Sequence, residues 1–411
     1  MNRIKPYLLS EKTYSFLITA VLISLPLRHA FSNTTLIVLL AVSLASVRFH
    51  KIKVNKTQLL PALFLLLMAA SLLWTVSFED SIRGLERHLP YLMIPVLYIA
   101  MPTLSKKVLL KVFYSFAVGL AVFAVFFISY AMVNYLANGN SEIFFYHQLV
   151  EVKPLKLGLN AIYVSVMVAF SLLFVIFYSK RKFLDWVVSL ILLLFLVLLS
   201  SKNVFVTTLF AGGLGLFLSK KITLKRVLFL TVLISGLLSV VMFSPLKDRI
   251  NKELTSNVEE VLTQEKFNRV YPWTGTTIRL FQARIGYELL EENNLFLTGF
   301  GINASKKKIE EKQTFYNLYW GYNDYNFHNQ YIQAFVELGV LGFIFILLLL
   351  TIIFKGYLYE KELIYLFFFI LMAAVFITES YIWRQRGMIF FFIIYGLLLK
   401  VNEQKIIPIA T

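Results

Sequence analysis

Few side chains in this sequence can move a proton or hold an anion beside its long apolar runs, and they fall in a handful of places. His328 stands in Tyr325-Asn326-Phe327-His328-Asn329-Gln330, where a polar segment gives way to an apolar one. A histidine exchanges protons near neutral pH, so at such a boundary it can serve both a lipid-borne group and an aqueous acceptor. Upstream, Thr276-Thr277-Ile278-Arg279-Leu280 opens an amphipathic segment that carries Arg279 and Arg284 and ends in Gly299-Phe300-Gly301. Glycines spaced in this way suit positive φ or close backbone approach. A phosphate could sit there, although a helix-stop turn is the plainer reading of Gly-x-Gly. Lys202, in Leu198-Leu199-Ser200-Ser201-Lys202-Asn203, has no acidic neighbour in sequence and lies between two apolar runs. An ionisable group in that setting is costly and usually faces a cavity or a partner.

Other cations beside apolar segments are Arg28, Arg83, Arg87, Lys153, Lys156, Arg384 and Arg386. Pairing is the expectation for most: Arg83 and Arg87 with Asp80 and Glu86, and Arg384 and Arg386 with the preceding Glu379. Glu337, nine residues beyond His328, reads as structural, and Gly339 and Gly342 allow close helix packing. No His-x-x-x-His pair or carboxylate cluster suggests a metal site. Cysteine is absent, which excludes disulfides, thiolate catalysis and Cys-based zinc or iron–sulfur centres.

The elements that must position these residues are membrane helices. The 411 residues are 58% hydrophobic and 15% charged, against roughly 45–50% and 25% in soluble chains. A spanning helix needs about 20 apolar residues. The expected spans, twelve in all, are 13–27, 31–47, 59–76, 88–101, 108–134, 158–178, 184–200, 203–218, 227–243, 329–354, 362–383 and 387–401. The first of these, with no small-residue cleavage site after it, reads as a retained helix. The pair around Ser201 and Lys202 predicts a tight re-entry or a helix broken at membrane depth.

A net charge of +17 would suggest nucleic acid in a soluble protein. Here it sorts by side. With both termini inside, alternate connections hold 21 basic and five acidic residues, or +16, and everything else sums to +1. That asymmetry orients the chain and favours anionic membrane lipid, not nucleic acid, as the partner. Residues 244–328 form one large outer loop of balanced charge with helical periodicity from Thr277 to Glu292, and a shorter outer loop covers about 134–157 and contains His147. The organisation expected is therefore nine helices over 1–243, the loop over 244–328, and three helices over 329–411. No internal repeat or low-complexity tract is evident.

From His328 to Gly342 the residues fit the pattern His-[Asn/Ser/Gln], nine residues, Gly, two residues, [Gly/Thr/Tyr]. In this, in Arg279, in the Gly299-Phe300-Gly301 turn and in Ser200-Ser201-Lys202, where ligases have Ser-Arg, the sequence resembles the O-antigen ligase and polymerase superfamily. The resemblance implies an all-α polytopic fold of the C-type membrane glycosyltransferases, sited in the bacterial inner membrane. It also implies metal-independent, inverting transfer of a glycan from a polyprenyl (undecaprenyl) pyrophosphate donor on the periplasmic face. The acceptor would be lipid A–core for a ligase, or another polyprenyl-linked repeat for a polymerase. His328 would then orient or deprotonate the acceptor hydroxyl, or contact phosphate. Arg279 and Lys202, supported by Arg284, would neutralise the pyrophosphate, with Asn329, Gly299 and Gly301 lining the substrate. No cofactor is implied. A transporter or flippase would predict paired repeats and correspondingly broken helices, and would leave the His328 pattern without a purpose.

Overall fold

A computed structural model describes residues 5–179, 183–219, 227–228, 231, 235, 251, 255–268, 271–319 and 326–402. The expected span 227–243 and the first residues of the large loop lie outside the described residues, apart from single positions. The described residues are mostly helical, and among them is one two-residue antiparallel pair, Glu151↔Gly158 and Val152↔Leu157.

The apolar helices follow the expected order: α1 (Glu11–Ser24), α2 (His29–Ser46), α3 (Leu60–Ala70), the short polar α4 (Phe78–Arg87), α5 (Pro90–Ala100), α6 (Lys106–Asn138), α7 (Ala161–Tyr178), α8 (Phe183–Leu198) and α9 (Lys202–Leu218). After α10 (Val258–Thr263), α11 (Gly275–Glu292) and α12 (Lys306–Phe315) come α13 (Gln330–Glu360), α14 (Leu363–Thr378) and α15 (Gln385–Asn402). Among the described residues five helical stretches are long and apolar enough to cross a bilayer, and α8, α9 and α14 are shorter apolar helices. The protein is an all-α, multi-pass membrane protein.

The packing follows from how apolar each helix is around its circumference. α7 and α15 are apolar on nearly every face and sit at the centre, with Phe170, Leu172 and Ile389 through Ile394 fully buried. Helices at the periphery keep an outward apolar face, including Leu66, Val122, Leu190 and Phe217, as a surface solvated by lipid requires.

The two ends of the bundle differ in chemistry. At one end several connections meet: Glu11 accepts from the Ser105 N–H and hydroxyl (2.7 and 2.8 Å), Glu362 pairs with Lys106 and accepts from the Tyr178 hydroxyl (3.1 Å), and Ser46 reaches the Ala100 carbonyl (3.1 Å). The other end carries the polar segments that hold the candidate site.

Several boundaries depart from expectation. α6 runs to Asn138 and stops at Gly139, whose φ of +67° forms a left-handed cap, so the shorter loop begins later than residue 134. The expected span 362–383 divides: α14 ends at Thr378, Glu379 is extended, and Tyr381–Trp383 form a separate turn. α8 and α9 are two helices joined by Leu199, Ser200 and Ser201, with Ser200 at φ +51°. At 1.5 Å per residue each is only about 24–26 Å long.

Between α9 and α13 the polar segment has its own core. Phe267, Phe281, Ile285, Leu289, Ile309 and Phe327 are buried together, apart from the main cluster. α13 is broken at Gly339 (φ +64°, ψ −160°). There the 295–301 strand of chain lies along the opened backbone: Phe300 N–H donates to Val336 O (3.0 Å), Gly301 N–H to Glu337 O (2.9 Å) and Val340 N–H to Phe296 O (3.0 Å). These bonds satisfy backbone groups that the break would otherwise leave bare.

Candidate functional site

The break after α14 creates the centre of the site. Thr378 and Glu379 end that helix, and three separate parts of the chain converge on them. From α11, whose start is set by a reciprocal Thr274–Thr277 capping box, Arg279 reaches across. Its Nε donates to Thr378 O (2.9 Å), its NH1 to Gly275 O (2.6 Å), and its NH2 lies 3.7 Å from Glu379 Oε1. A guanidinium at a helix C-terminus meets both bare carbonyls and the negative end of the helix dipole. From the start of α9, Asn203 Nδ2 donates to Thr378 Oγ1 (2.7 Å) and Ala374 O (2.8 Å), which brings the adjacent Lys202 to the same helix end. From the entry to α13, His328 Nδ1 stands 3.4 Å from the same Glu379 Oε1.

His328 is held in a left-handed conformation, φ +44°. Its N–H donates to Asn326 Oδ1 (3.0 Å), and Asn329 caps α13 by accepting from Tyr331 N–H (3.0 Å) and Ile332 N–H (3.1 Å). Two asparagines thus fix the backbone on either side of the imidazole. A histidine whose Nδ1 faces a carboxylate is biased toward the tautomer in which Nε2 accepts a proton, the arrangement a general base needs. The Glu379 side chain is only 6% exposed, so it meets its cationic neighbours with little solvent screening.

His328 and Glu379 line a cavity of about 880 Å³ at this end of the bundle, together with Arg87, Tyr163, Trp383 and Arg384. Tyr163 and Tyr381 stack beneath it at 4.6 Å. Among the described residues, no group of three or more His, Asp or Glu converges as a metal site would require.

Four of the residues singled out from sequence have other duties. Arg284 turns into the core of the outer segment: it donates to Glu288 (2.8 Å), to the carbonyls of Val261 (3.1 Å) and Gln264 (2.9 Å), and to the Tyr316 hydroxyl (3.0 Å). These partners hold it within the outer segment, on a different side of α11 from Arg279. The Asn329 carbonyl oxygen is committed to its helix cap. Gly299 and Gly301, at φ +67° and +95°, serve the close approach to α13: a Cβ on Gly299 would stand 2.5 Å from the Glu337 carbonyl carbon, and one on Gly301 would collide with Thr75. The structure places both in a backbone joint.

Glu337 is structural, as its position suggested. Buried at 2% exposure, it accepts from Asn303 N–H (2.7 Å), Trp383 Nε1 (2.9 Å) and Gln333 Nε2 (2.5 Å), and so ties the break in α13 to the turn after α14.

The expected pairings hold only in part. Arg83 pairs with Glu79 and lies 3.8 Å from Asp80. Arg386 instead donates to the carbonyls of Leu25 (3.0 Å) and Leu27 (2.9 Å). Glu379 is taken by Arg279 and His328, not by Arg384 or Arg386. Glu379 is the site residue that sequence reasoning assigned elsewhere. Its signal was an acid closing an otherwise wholly apolar helix, and the nearby arginines drew attention to local pairing.

Residues 187–347 match the family model described as O-antigen ligase. No curated protein matches the chain. The resemblance to the O-antigen ligase superfamily is borne out over that span, which runs from α8 into α13 and includes Lys202, Arg279 and His328.

Proposed function

We propose that this protein, with its O-antigen ligase domain at residues 187–347, transfers a glycan from a polyprenyl pyrophosphate, of undecaprenyl type, to lipid A–core at the outer face of a bacterial inner membrane. The observation that carries the reading is the convergence of Arg279 and His328 on the buried carboxylate of Glu379 at the edge of the large cavity. No nucleotide is needed where the donor arrives already activated. What the leaving pyrophosphate requires is neutralisation of its growing charge, which fixed cations supply. Arg279, with Lys202 at the same helix end, would take that part, and His328 would accept the proton of the attacking hydroxyl. Attack opposite the leaving group inverts the anomeric centre, and no step calls for a metal or a cofactor.

The same reading sets the topology. The basic connections face the cytoplasm with both termini. The chain then comprises membrane helices over 1–243, a periplasmic loop over 244–328 and three helices over 329–411, twelve spans in all. A polymerase would use the same donor chemistry and differ in joining the glycan to another polyprenyl-linked repeat. Gel analysis of surface polysaccharide after deletion distinguishes them: undecorated core with long chains left on the carrier lipid indicates a ligase, and single repeats on core indicate a polymerase. In complementation, Lys202→Arg should restore decorated core, whereas Lys202→Ala, His328→Ala and Arg279→Ala should insert normally and fail. Full activity of His328→Ala and Arg279→Ala would overturn the reading.

A further inference from the structure

Beside the large cavity lies a smaller one, of about 130 Å³, which shares Arg87, Asn326, Trp383 and Arg384 with it and ends against His88 and Glu337. We propose that this side pocket is a separate anion site that takes an acidic sugar of the acceptor, a hexuronate or a phosphorylated hexose. The proposal rests on the transfer reading above and names the chemistry of its second substrate.

Three observations carry it. First, two of the cations that line it, Arg87 and Arg384, are uncommitted. The guanidinium groups of Arg87 and Arg384 form no ion pair or hydrogen bond among the described residues, although Glu86 and Glu379 are close to them in sequence. Arg279, Arg284 and Arg386 are by contrast all engaged. Two guanidinium groups at one opening favour a carboxylate or phosphate, whose oxygens match their planar donors.

Second, the pocket holds a buried polar group in need of a partner. His88 is 2% exposed, its Nδ1 lies 2.7 Å from Gly84 O, and its Nε2 has no partner. The carbonyl obliges Nδ1 to carry the proton, so Nε2 is an acceptor. A bare buried acceptor is unfavourable, and a ligand hydroxyl would give it the partner it lacks. The ring is held edge-on to Trp383 at 5.3 Å. On the facing wall the Glu337 carboxylate is already satisfied by Asn303, Gln333 and Trp383, so it presents little unbalanced charge to a ligand. An acid to the arginines and a hydroxyl to His88 is the pattern of an acidic sugar. At about 130 Å³ the pocket is close in size to a cavity of ~150 Å³ that takes one small ring, and it has no room for a chain.

Third, the pocket lies away from the leaving group. Arg279 and Lys202 line neither cavity, and His328 lines only the larger one. The order is therefore Arg279, then Glu379 and His328, then the cavity, then the side pocket. With pyrophosphate held at the Arg279 end, an in-line attack brings the acceptor from the opposite side, where Arg87 and Arg384 stand.

The test uses full-length protein purified in detergent, with dissociation constants from ligand-observed NMR. The probes are methyl glucuronide, glucose 6-phosphate, neutral methyl glucoside, and inorganic pyrophosphate for the donor end. At least one acidic sugar should bind tenfold or more tightly than the glucoside, and the tighter of the two names the acidic group. Arg87→Gln and Arg384→Gln should each weaken it about tenfold, and His88→Phe should weaken it less, with Arg279→Gln leaving it unchanged. Both arginines are exposed, so their variants should melt as the parent does. Equal binding of acidic and neutral sugars, or acidic-sugar binding indifferent to Arg384→Gln, would overturn the proposal. Pyrophosphate binding indifferent to Arg279→Gln would instead overturn the donor assignment, which separates the two failures.

Discussion

Replacing Glu379 by Gln removes one charge, keeps the shape, and should strike both halves of the site at once. Its Oε1 lies 3.7 Å from Arg279 NH2 and 3.4 Å from His328 Nδ1. At an effective dielectric constant of about 20, a pair at that distance attracts by about 4–5 kcal/mol. Arg279 is 27% exposed, and solvent competes for part of that energy, leaving about 1–3 kcal/mol for the arginine. The imidazole adds its own term only when protonated, as it is after accepting a proton from the attacking hydroxyl. The carboxylate therefore stabilises the state formed during transfer more than the resting one, and its loss should fall on kcat. General acid–base catalysis contributes about 10²–10⁴-fold, and loss of the group that faces the base should forfeit only the lower part of that, about 10²-fold, because the amide oxygen of Gln can still face Nδ1. The assay follows loss of polyprenyl-pyrophosphate-linked glycan and release of polyprenyl pyrophosphate in detergent, with kcat and KM resolved and the melting temperature measured alongside. Glu379→Asp should recover part of the loss. A Gln variant within twofold of the parent in kcat would refute the reasoning. So would a loss of rate accounted for wholly by unfolding.

Arg284→Ala should lower the melting temperature of the outer segment, since it strands two carbonyls and leaves Glu288 only Tyr316 and Lys312, while leaving KM for the donor within about twofold; a large KM effect would return Arg284 to the binding site. Gly339→Ala should destabilise by several kcal/mol, about 1–3 from a positive-φ backbone open essentially only to glycine and the rest from collision with the Leu297 carbonyl, and an unchanged melting temperature would refute the joint drawn here between α13 and the 295–301 segment. In the same outer segment, burial works against the charge of Glu288, but its bonds to Tyr316, Arg284 and Lys312 outweigh this and hold its pKa below the usual carboxylate value. A lowered folded pKa contributes stability above the unfolded value that is lost as pH falls through the folded one. The outer segment should therefore melt progressively earlier below about pH 4, a dependence that Glu288→Gln should flatten in fluorescence-monitored melts.

Much of this was readable in one dimension because it depends on local composition. Runs of apolar residues can only be membrane helices when they are this long, and the basic connections mark alternate ends of those helices without reference to any contact. A histidine at a polar–apolar boundary, and an arginine at the start of an amphipathic helix, are likewise visible as types in places. What pairs with what is another matter, because it depends on which helix ends meet. Arg279 and Glu379 are a hundred residues apart, and only the packing of α11 against the end of α14 brings them together; sequence proximity had offered Glu379 to Arg384 and Arg386. Gly299 and Gly301 suggested a phosphate turn until the break in α13 gave them a backbone to approach. Arg284 has the same chemistry as Arg279 and lies on the same helix, yet five residues of helix turn it toward a different core. The amino-acid sequence alone determined the membrane helices, their basic connections and the residue types available for chemistry, since those follow from hydropathy and charge. Only the tertiary structure decided which of those residues share a carboxylate, because a charge is committed by its nearest neighbours in space.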